Sequence, residues 1–382
     1  MFELEGEEHA AIRDSLRRLA RDCIPAYLAQ ENSEKFPREL FQKFSAAGLS
    51  GMSVDERHGG ARLSPTLASA AIEEIAAVNL GPAIFLSVHS MVSGLIEKFA
   101  NDTQKQLYLP KLARGEWLGA FALTEASAGS DAAGLKTVAR KDGSDYILNG
   151  DKCWITSGGF ADLYLVFAKT DPALGKEGIS AFIVDKGDRG LSWGSPEKKM
   201  GCELSPISTL QFDDLRLPAD RLVGQEGQGY RIALGGLAGG RISIASCAVG
   251  LAREALDLAV AHLTERKQFG QSLIEFQGLQ FMLADMKIEL EASRMLTWRA
   301  AHLLETNPSD PKNRLYPSIA KCKATDAAMK ITTDAVQLFG GAGYVREYPV
   351  ERLMRDAKML QIVEGANQIQ RGVIARQLRE HS

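Results

Sequence analysis

Val138-Ala-Arg-Lys-Asp-Gly-Ser-Asp-Tyr-Ile-Leu-Asn-Gly150 holds two short β-patterned runs, Val138 to Arg140 and Tyr146 to Leu148, parted by an Asp-Gly turn and closed by an Asn-Gly pair. The same punctuation continues downstream. Trp154 to Thr156, Leu163 to Ala168, Ile179 to Val184 and Thr209 to Phe212 are rich in β-branched and aromatic residues. Ser157-Gly158-Gly159, Lys186-Gly187 and Arg189-Gly190 separate them as turns. No helix of useful length fits between these strands, which argues against a parallel Rossmann sheet. Residues 117–222 read as a compact antiparallel β-domain.

On either side the hydrophobic period changes to that of a helix. From about Leu4 to Leu112 apolar residues recur at Ile12, Leu16 and Leu19, at Phe41 and Phe44, and at Leu67, Ala71, Ile75 and Val78. Pro37 and Gly59-Gly60 mark breaks, and Thr103 is a candidate N-cap for a short helix ending before Pro110. Residues 1–116 are thus expected to form an all-helical domain. Beyond the glycine-rich run Gly224 to Gly229, residues 223–382 carry helical patterns over Arg241 to Arg266, Gln277 to Glu305 and Pro317 to Leu338. Small residues such as Ala245, Ala248 and Ala252 allow close helix contacts, so antiparallel helices in a bundle are the expected solution. Gly224, Gly227 and Gly229 do not have dinucleotide-loop spacing, and a flexible domain junction is the reading they support.

Composition narrows the class. With 382 residues, 45% hydrophobic content and a net charge of -3, the chain can bury a large core in two or three domains. It has no basic run and no aromatic-interleaved Lys or Arg patch, which argues against a nucleic-acid partner. The apolar stretch Ala76 to Val92 is interrupted by Asn79, Gly81, Pro82 and His89, so no membrane span is expected. The acidic start, Met-Phe-Glu-Leu-Glu-Gly-Glu-Glu8, is unlike a secretory or mitochondrial leader, and a cytoplasmic location is expected. The five cysteines are far apart and form no C-x-x-C pair, so they read as free thiols. The six histidines are scattered, and no metal site is expected.

Near the C-terminus Glu364 is a lone carboxylate in an apolar and amide stretch, Met359-Leu-Gln-Ile-Val-Glu-Gly-Ala-Asn-Gln-Ile-Gln-Arg371. Flanked by Ile362 and Val363, it would lose water on packing and become a stronger base, and Gly365 would let a ligand approach. On residue type alone a solvated helix-end glutamate is the favoured reading.

Several stretches give it context: Phe121-Ala-Leu-Thr-Glu-Ala-Ser-Ala-Gly-Ser-Asp131, Trp154-Ile-Thr156, Arg266-Lys-Gln-Phe-Gly270, Gln337-Leu-Phe-Gly-Gly-Ala-Gly-Tyr344, Arg355-Asp-Ala-Lys358 and the Glu364 segment. In this order and spacing they resemble the acyl-CoA dehydrogenase family of flavoproteins across essentially the whole chain. The resemblance implies an α+β fold with an N-terminal helical domain, a middle β-domain and a C-terminal four-helix bundle. It implies FAD as cofactor, an acyl-CoA substrate, and electron-transfer flavoprotein as electron acceptor. It also implies a homotetramer built as a dimer of dimers, and a place in fatty acid or branched-chain amino acid catabolism.

Residue by residue, the resemblance implies flavin contacts from Phe121, Leu123, Thr124, Ser130, Trp154, Ile155 and Thr156 on the β-domain. From a second subunit it implies Arg266, Gln268, Phe269, Phe276, Gln277, Gln337, Leu338, Gly340 and Gly341. Ala366 and Gln368 stand at further FAD positions, and Ser130, Arg241, Val363 and Gly365 at substrate positions. Glu364 would take the α-proton while the β-hydrogen leaves as hydride, giving the 2-enoyl-CoA. Some branches place the base immediately before the residue equivalent to Arg241. That position is Gly240 here, which leaves Glu364 as the candidate.

Departures from the family pattern stand at Ala126, Ala238 and Ala366. The stretches Gly239 to Cys247 and Phe276 to Phe281 look closest to isobutyryl-CoA and short branched-chain members. Val363, where straight-chain members often carry tyrosine, would leave room for a branch. An acyl-CoA oxidase handing electrons to oxygen would share every motif, and a non-catalytic scaffold of the same fold is the non-enzymatic alternative.

Overall fold

A computed structural model describes residues 7–28 and 34–380; Leu4, where the helical pattern opens, lies outside the described residues. The N-terminal helices are α1 (Glu7–Cys23), α2 (Pro25–Leu28), α3 (Arg38–Ala46), α4 (Pro65–Val78), α5 (Leu80–Phe99) and α6 (Asp102–Ala113). Short polar caps set their starts. Ser64 Oγ accepts from the Leu67 N–H at the head of α4, with Pro65 at its first turn. The cap of α6 is Asn101 rather than Thr103, in a reciprocal capping box with Gln104. That helix also continues through Pro110 to Ala113, because so near the C-terminus the missing N–H costs a single ladder bond.

The middle of the chain forms β1 (Gly119–Ala122), β2 (Val138–Asp142), β3 (Asp145–Thr156), β4 (Leu163–Lys169), β5 (Ile179–Asp185), β6 (Leu191–Trp193), β7 (Ile207–Leu217) and β8 (Leu222–Val223). These make one eight-stranded sheet in the order β6-β7-β3-β2-β4-β5-β8, with β1 also on β4. The sheet is mixed, not purely antiparallel. β1 runs parallel to β4 from Gly119↔Leu163 to Ala122↔Val166, and its small, weakly β-patterned residues hid it in the sequence. Asn149-Gly150 is a bulge inside the long strand β3 rather than a turn. The register with β7 shifts between Leu148 and Gly150, while the Asn149 side chain bonds Asp214 in both directions at 2.9 Å. A Cβ on Gly150 would lie 2.8 Å from Thr137 Cα, so only glycine lets β2 and β3 close there.

The C-terminal part comprises α7 (Gly229–Glu265), the small hairpin β9 (Lys267–Gln268) and β10 (Gln271–Ser272), α8 (Gln277–Thr306), α9 (Tyr316–Phe339), α10 (Val350–Leu360) and α11 (Asn367–Glu380). α7 starts at Gly229, twelve residues before the expected Arg241. Its four glycines between 235 and 240 lower helix propensity, and packing compensates. Cβ atoms on Gly235 and Gly236 would lie 3.2 Å from Phe99 and 3.0 Å from Leu95, so α5 presses on them closely. The run Gly224 to Gly229 is likewise pinned to β5: the Gly227 N–H donates to Ser180 Oγ at 2.9 Å, and a Cβ on Gly229 would meet the Ser180 carbonyl carbon at 2.5 Å. α5 and α7 have the length and apolar content of membrane-crossing helices, but their apolar windows are 72% and 61% buried within the fold.

One buried ion cluster ties the N-terminal helices to the bundle. Glu73 and Glu74 of α4 receive Arg13 of α1, Arg253 of α7 and Arg294 of α8 at 2.7–3.1 Å, and Arg17 of α1 joins at Glu74. Burial alone would raise the Glu74 carboxyl, but hydrogen bonds from Arg253 and Arg17 pull it down to about 2.

Candidate active site

Glu364 lies in the short connection between α10 and α11, at φ 54°, followed by Gly365 at φ 89°. A left-handed non-glycine residue there costs roughly 1 kcal/mol or more and persists only where its surroundings enforce it. They do. Gln370 Nε2 of α11 donates to the Glu364 and Gly365 carbonyls, both at 3.0 Å. Lys321 Nζ of α9 donates to the Gly365 carbonyl at 3.0 Å and to Asn367 Oδ1 at 2.8 Å. Asp326 accepts from both Gln361 and Asn367 at 2.7 Å, fastening the two ends of the loop. Gly365 is fixed by space as well as φ, since a Cβ would lie 2.5 Å from Gln370 Nε2.

The Glu364 side chain turns toward α7. Its Oε2 is sealed from solvent and has no hydrogen-bond partner, and the position a Cβ would take on Gly240 is 2.7 Å from that oxygen. The two base positions that the resemblance implies therefore converge on one spot, and Gly240 is what makes room for the carboxylate. Burial raises the carboxyl to about 7, against the opposing charges of Arg241 and Lys321. Arg241 is half-buried, reaches Ser318 Oγ at 3.4 Å and keeps an unpartnered Nε. Among the described residues none accepts from the Glu364 N–H, which leaves it free as a donor.

Gly240 also borders a cavity of about 260 Å³ between α4, α5 and the glycine-rich turns of α7, lined by Met52, Leu63, Ala68, Met91, Leu95 and Gly236 among others. Val363 packs against the core and is not part of that lining. A larger, open recess of about 470 Å³ lies on the α8–α9–α11 face. Its charges are each paired, Lys323 with Glu289, Arg371 with Asp326 and Lys330 with Asp334, rather than facing a common ligand.

On the sheet, a bulge in β3 between Lys152 and Ile155 places Trp154 at φ 58° and 59% exposed, while Lys152 and Ile155 both point inward. The Cys153 N–H holds the Thr124 carbonyl at 2.9 Å. Lys152 Nζ, fully buried, donates to the Leu123 carbonyl at 3.1 Å and pairs with Glu125 at 2.7 Å. Thus Leu123, Thr124 and Trp154 are brought together over a buried ion pair that sequence reasoning missed. Thr156 and Phe121 are half-buried beside them, Ser130 is exposed, and Ile155 offers only its backbone.

A second group gathers at one end of the bundle, where His262 of α7 stacks on Phe339 of α9 with ring centroids 4.1 Å apart. Arg266, Gln268, Gln277, Gln337, Gly340 and Gly341 are exposed around this joint. Phe269 is 93% exposed at φ 52° against the half-buried Phe276, and Leu338 is buried in the core. A Cβ placed on Gly340 or Gly341 would meet nothing within 4 Å, so their backbone is open to approach. Ala366 is half-buried and Gln368 exposed; the amide that grips the Glu364 loop is Gln370. Among the described residues no three His, Cys, Asp or Glu side chains could hold a metal.

The family models for the acyl-CoA dehydrogenase N-terminal, middle and C-terminal domains match residues 6–116, 120–215 and 227–379. The chain belongs to the acyl-CoA dehydrogenase family. It is similar to the mitochondrial isobutyryl-CoA dehydrogenase of Dictyostelium discoideum, 42% identical over 348 residues, 91% of this chain and 83% of that one. It superposes on the butyryl-CoA dehydrogenase of Megasphaera elsdenii with TM-score 0.91 and 41% identity, covering 96% and 98% of the two chains. A chain from the structure described as "Electron transferring flavoprotein of Acidaminococcus fermentans: Towards a mechanism of flavin-based electron bifurcation" matches with TM-score 0.95 and 43% identity over 99% of each. Acyl-CoA dehydrogenases of branched and straight-chain name are thus equally similar to this one, so overall identity does not separate them.

Proposed function

We propose that this acyl-CoA dehydrogenase oxidises a short acyl-CoA thioester to the 2-enoyl-CoA, with Glu364 as the α-proton base and electron-transfer flavoprotein as electron acceptor. Its cofactor is FAD. The residues present fit that group: the exposed Trp154 and the tethered Leu123-Thr124 backbone offer a planar face and hydrogen-bonding edge. Arg266 offers a guanidinium fork for a pyrophosphate. Because Arg266, Phe269, Gln277 and the Gly340 turn are exposed at the bundle end, we assign them to FAD held by a second copy of the chain, which makes the enzyme at least a dimer and, with the family's symmetry, a tetramer.

Bound FAD supplies the acceptor for the β-hydrogen, which leaves as hydride. The chain's own part is the α-proton. An α-carbon is a weak acid until the thioester oxygen is stabilised, and the free Glu364 N–H is a donor available for it. The observation that carries the reading is the sealed, partnerless Oε2 of Glu364 beside Gly240. A carboxylate with a pKa near 7 is matched to proton transfer at neutral pH, and among the described residues none hydrogen-bonds its Oε2. The bordering cavity, at about 260 Å³, is below the usual 300–1,000 Å³ of small-molecule sites and favours a short acyl group.

Anaerobic titration of the FAD-loaded protein with a panel of straight and branched acyl-CoAs tests this reading. Bleaching strongest with chains of about four carbons supports it, whereas preference for long chains overturns the short-chain assignment. Turnover under air with stoichiometric peroxide would assign the electrons to oxygen instead.

A further inference from the structure

Lys321 is a buried cation of unusual kind. Its side chain is 0% exposed, yet among the described residues no carboxylate lies within 4.0 Å of Nζ. Lys152, equally buried, has Glu125 at 2.7 Å. The hydrogen bonds of Lys321 go to two neutral oxygens, the Gly365 carbonyl and Asn367 Oδ1, both in the loop that carries Glu364. A buried ammonium without a salt bridge is a net cost to folding. Packing therefore does not account for it, and its two partners indicate where it acts.

We propose that Lys321 is a positioning residue for the base, tying the Glu364 loop into its left-handed conformation and supplying the positive field that keeps the carboxylate ionised. This rests on the reading of Glu364 as base. The charges acting on that carboxylate are Arg241 from α7 and Lys321 from α9, while Asp326 of α9 and Arg371 of α11 hold the ends of its loop. Asp326 and Arg371 are paired to each other at 2.7 Å, so Arg241 and Lys321 supply the opposing field. Burial lowers Lys321 itself to about 8, which leaves it charged at neutral pH.

The test compares Lys321→Gln, which keeps hydrogen-bonding capacity without charge, and Lys321→Met, which keeps neither, in FAD-loaded protein. In both, the acid limb of kcat/KM against pH is expected to move up by roughly one pH unit, because the base loses a neighbouring cation. Plateau kcat is expected to stay within about threefold of wild type in the glutamine variant and to fall about tenfold or more in the methionine variant, whose loop loses the ties to Gly365 and Asn367. A second readout needs no turnover. Lys321 binds fewer protons folded than unfolded between about 8 and 10.5, so wild-type stability gains a contribution as pH rises through that window, and the methionine variant loses that gain. An unmoved acid limb in both variants, or a wild-type kcat in the methionine variant, overturns the proposal. Full turnover in Glu364→Gln would instead remove the base assignment beneath it.

Discussion

Replacing Glu364 with glutamine should stabilise the protein while stopping it. Glutamine mimics the protonated acid, so the substitution removes only the cost of ionising a buried carboxyl. Folding raises that pKa from 4.5 to about 7, so the folded protein holds a proton that the unfolded chain has released across this window. Below pH 4.5 both states are protonated and the substitution is neutral. The cost to wild type then builds as pH rises and levels off above about 7, at about 3 kcal/mol for about 1.4 kcal/mol per pH unit. At pH 5.5 it should be only about 1 kcal/mol. With an unfolding entropy of about 2.1 cal/mol/K per residue over 382 residues, the variant should melt roughly 4 °C higher at pH 8 and less than about 2 °C higher at pH 5.5. Paired thermal melts of FAD-loaded wild type and variant at the two pH values measure this, and turnover should drop by about 10²–10⁴-fold or more. Equal melting temperatures at pH 8, or a gain that does not shrink at pH 5.5, would refute the burial of an unsatisfied carboxylate.

Gly240→Ala puts a methyl where it would lie 2.7 Å from Glu364 Oε2; kcat should fall by up to about 10²-fold with the flavin absorbance retained, as steady-state kinetics and a visible spectrum would report. Lys152→Met leaves the buried Glu125 carboxylate without its cation, held only by the Lys136 and Thr137 N–H groups, and should cost about 3 kcal/mol in urea titration, part of it recovered by adding Glu125→Gln. Glu74→Gln should cost about 3 kcal/mol at pH 7, since that carboxyl is held at about 2 against 4.5. Its folded pKa is depressed, so the wild-type advantage disappears as pH falls from 4.5 to 2, which urea midpoints at pH 7 and 3.5 would reveal.

What sequence pattern could resolve depended on whether a segment's neighbours left a periodic mark. α8 and α9 carry unbroken helical stripes and fall within a residue or two of their expected ends. The first turns of α7 did not, because glycines that let α5 press close also erase the helical signal. β1, built of Gly119, Ala120, Phe121 and Ala122, is a strand by virtue of its pairing with β4 rather than its composition. At the site, Glu364 stood out as a charge in an apolar run, and Trp154 as an aromatic in a motif. Lys321, Asn367 and Gln370 carry no such sign. A lysine in the middle of a helix reads as solvent-facing, and only the docking of α11 on α9 turns it inward, 44 residues from the carbonyl it holds.

The buried charges at Glu73–Glu74 and at Glu364 follow opposite rules, and the contrast points to the site independently of any motif. At Glu73 and Glu74 the carboxylates are met by four arginines from three helices, and Glu74 is held near 2, deep in its ionised state. That arrangement stabilises the docking of the N-terminal helices on the bundle and saturates both carboxylates with arginines. At Glu364 the carboxyl has an oxygen with no partner, the nearby ammonium of Lys321 bonds only neutral oxygens, Arg241 keeps a free Nε, and the backbone is left-handed at a non-glycine residue. Each of these lowers stability, and none is needed to pack the helices around it. A fold that meets its buried carboxylates with arginines in one place and leaves a carboxylate oxygen without a partner in another is reserving the second for something that arrives later, and an α-proton with its thioester is the arrival that fits.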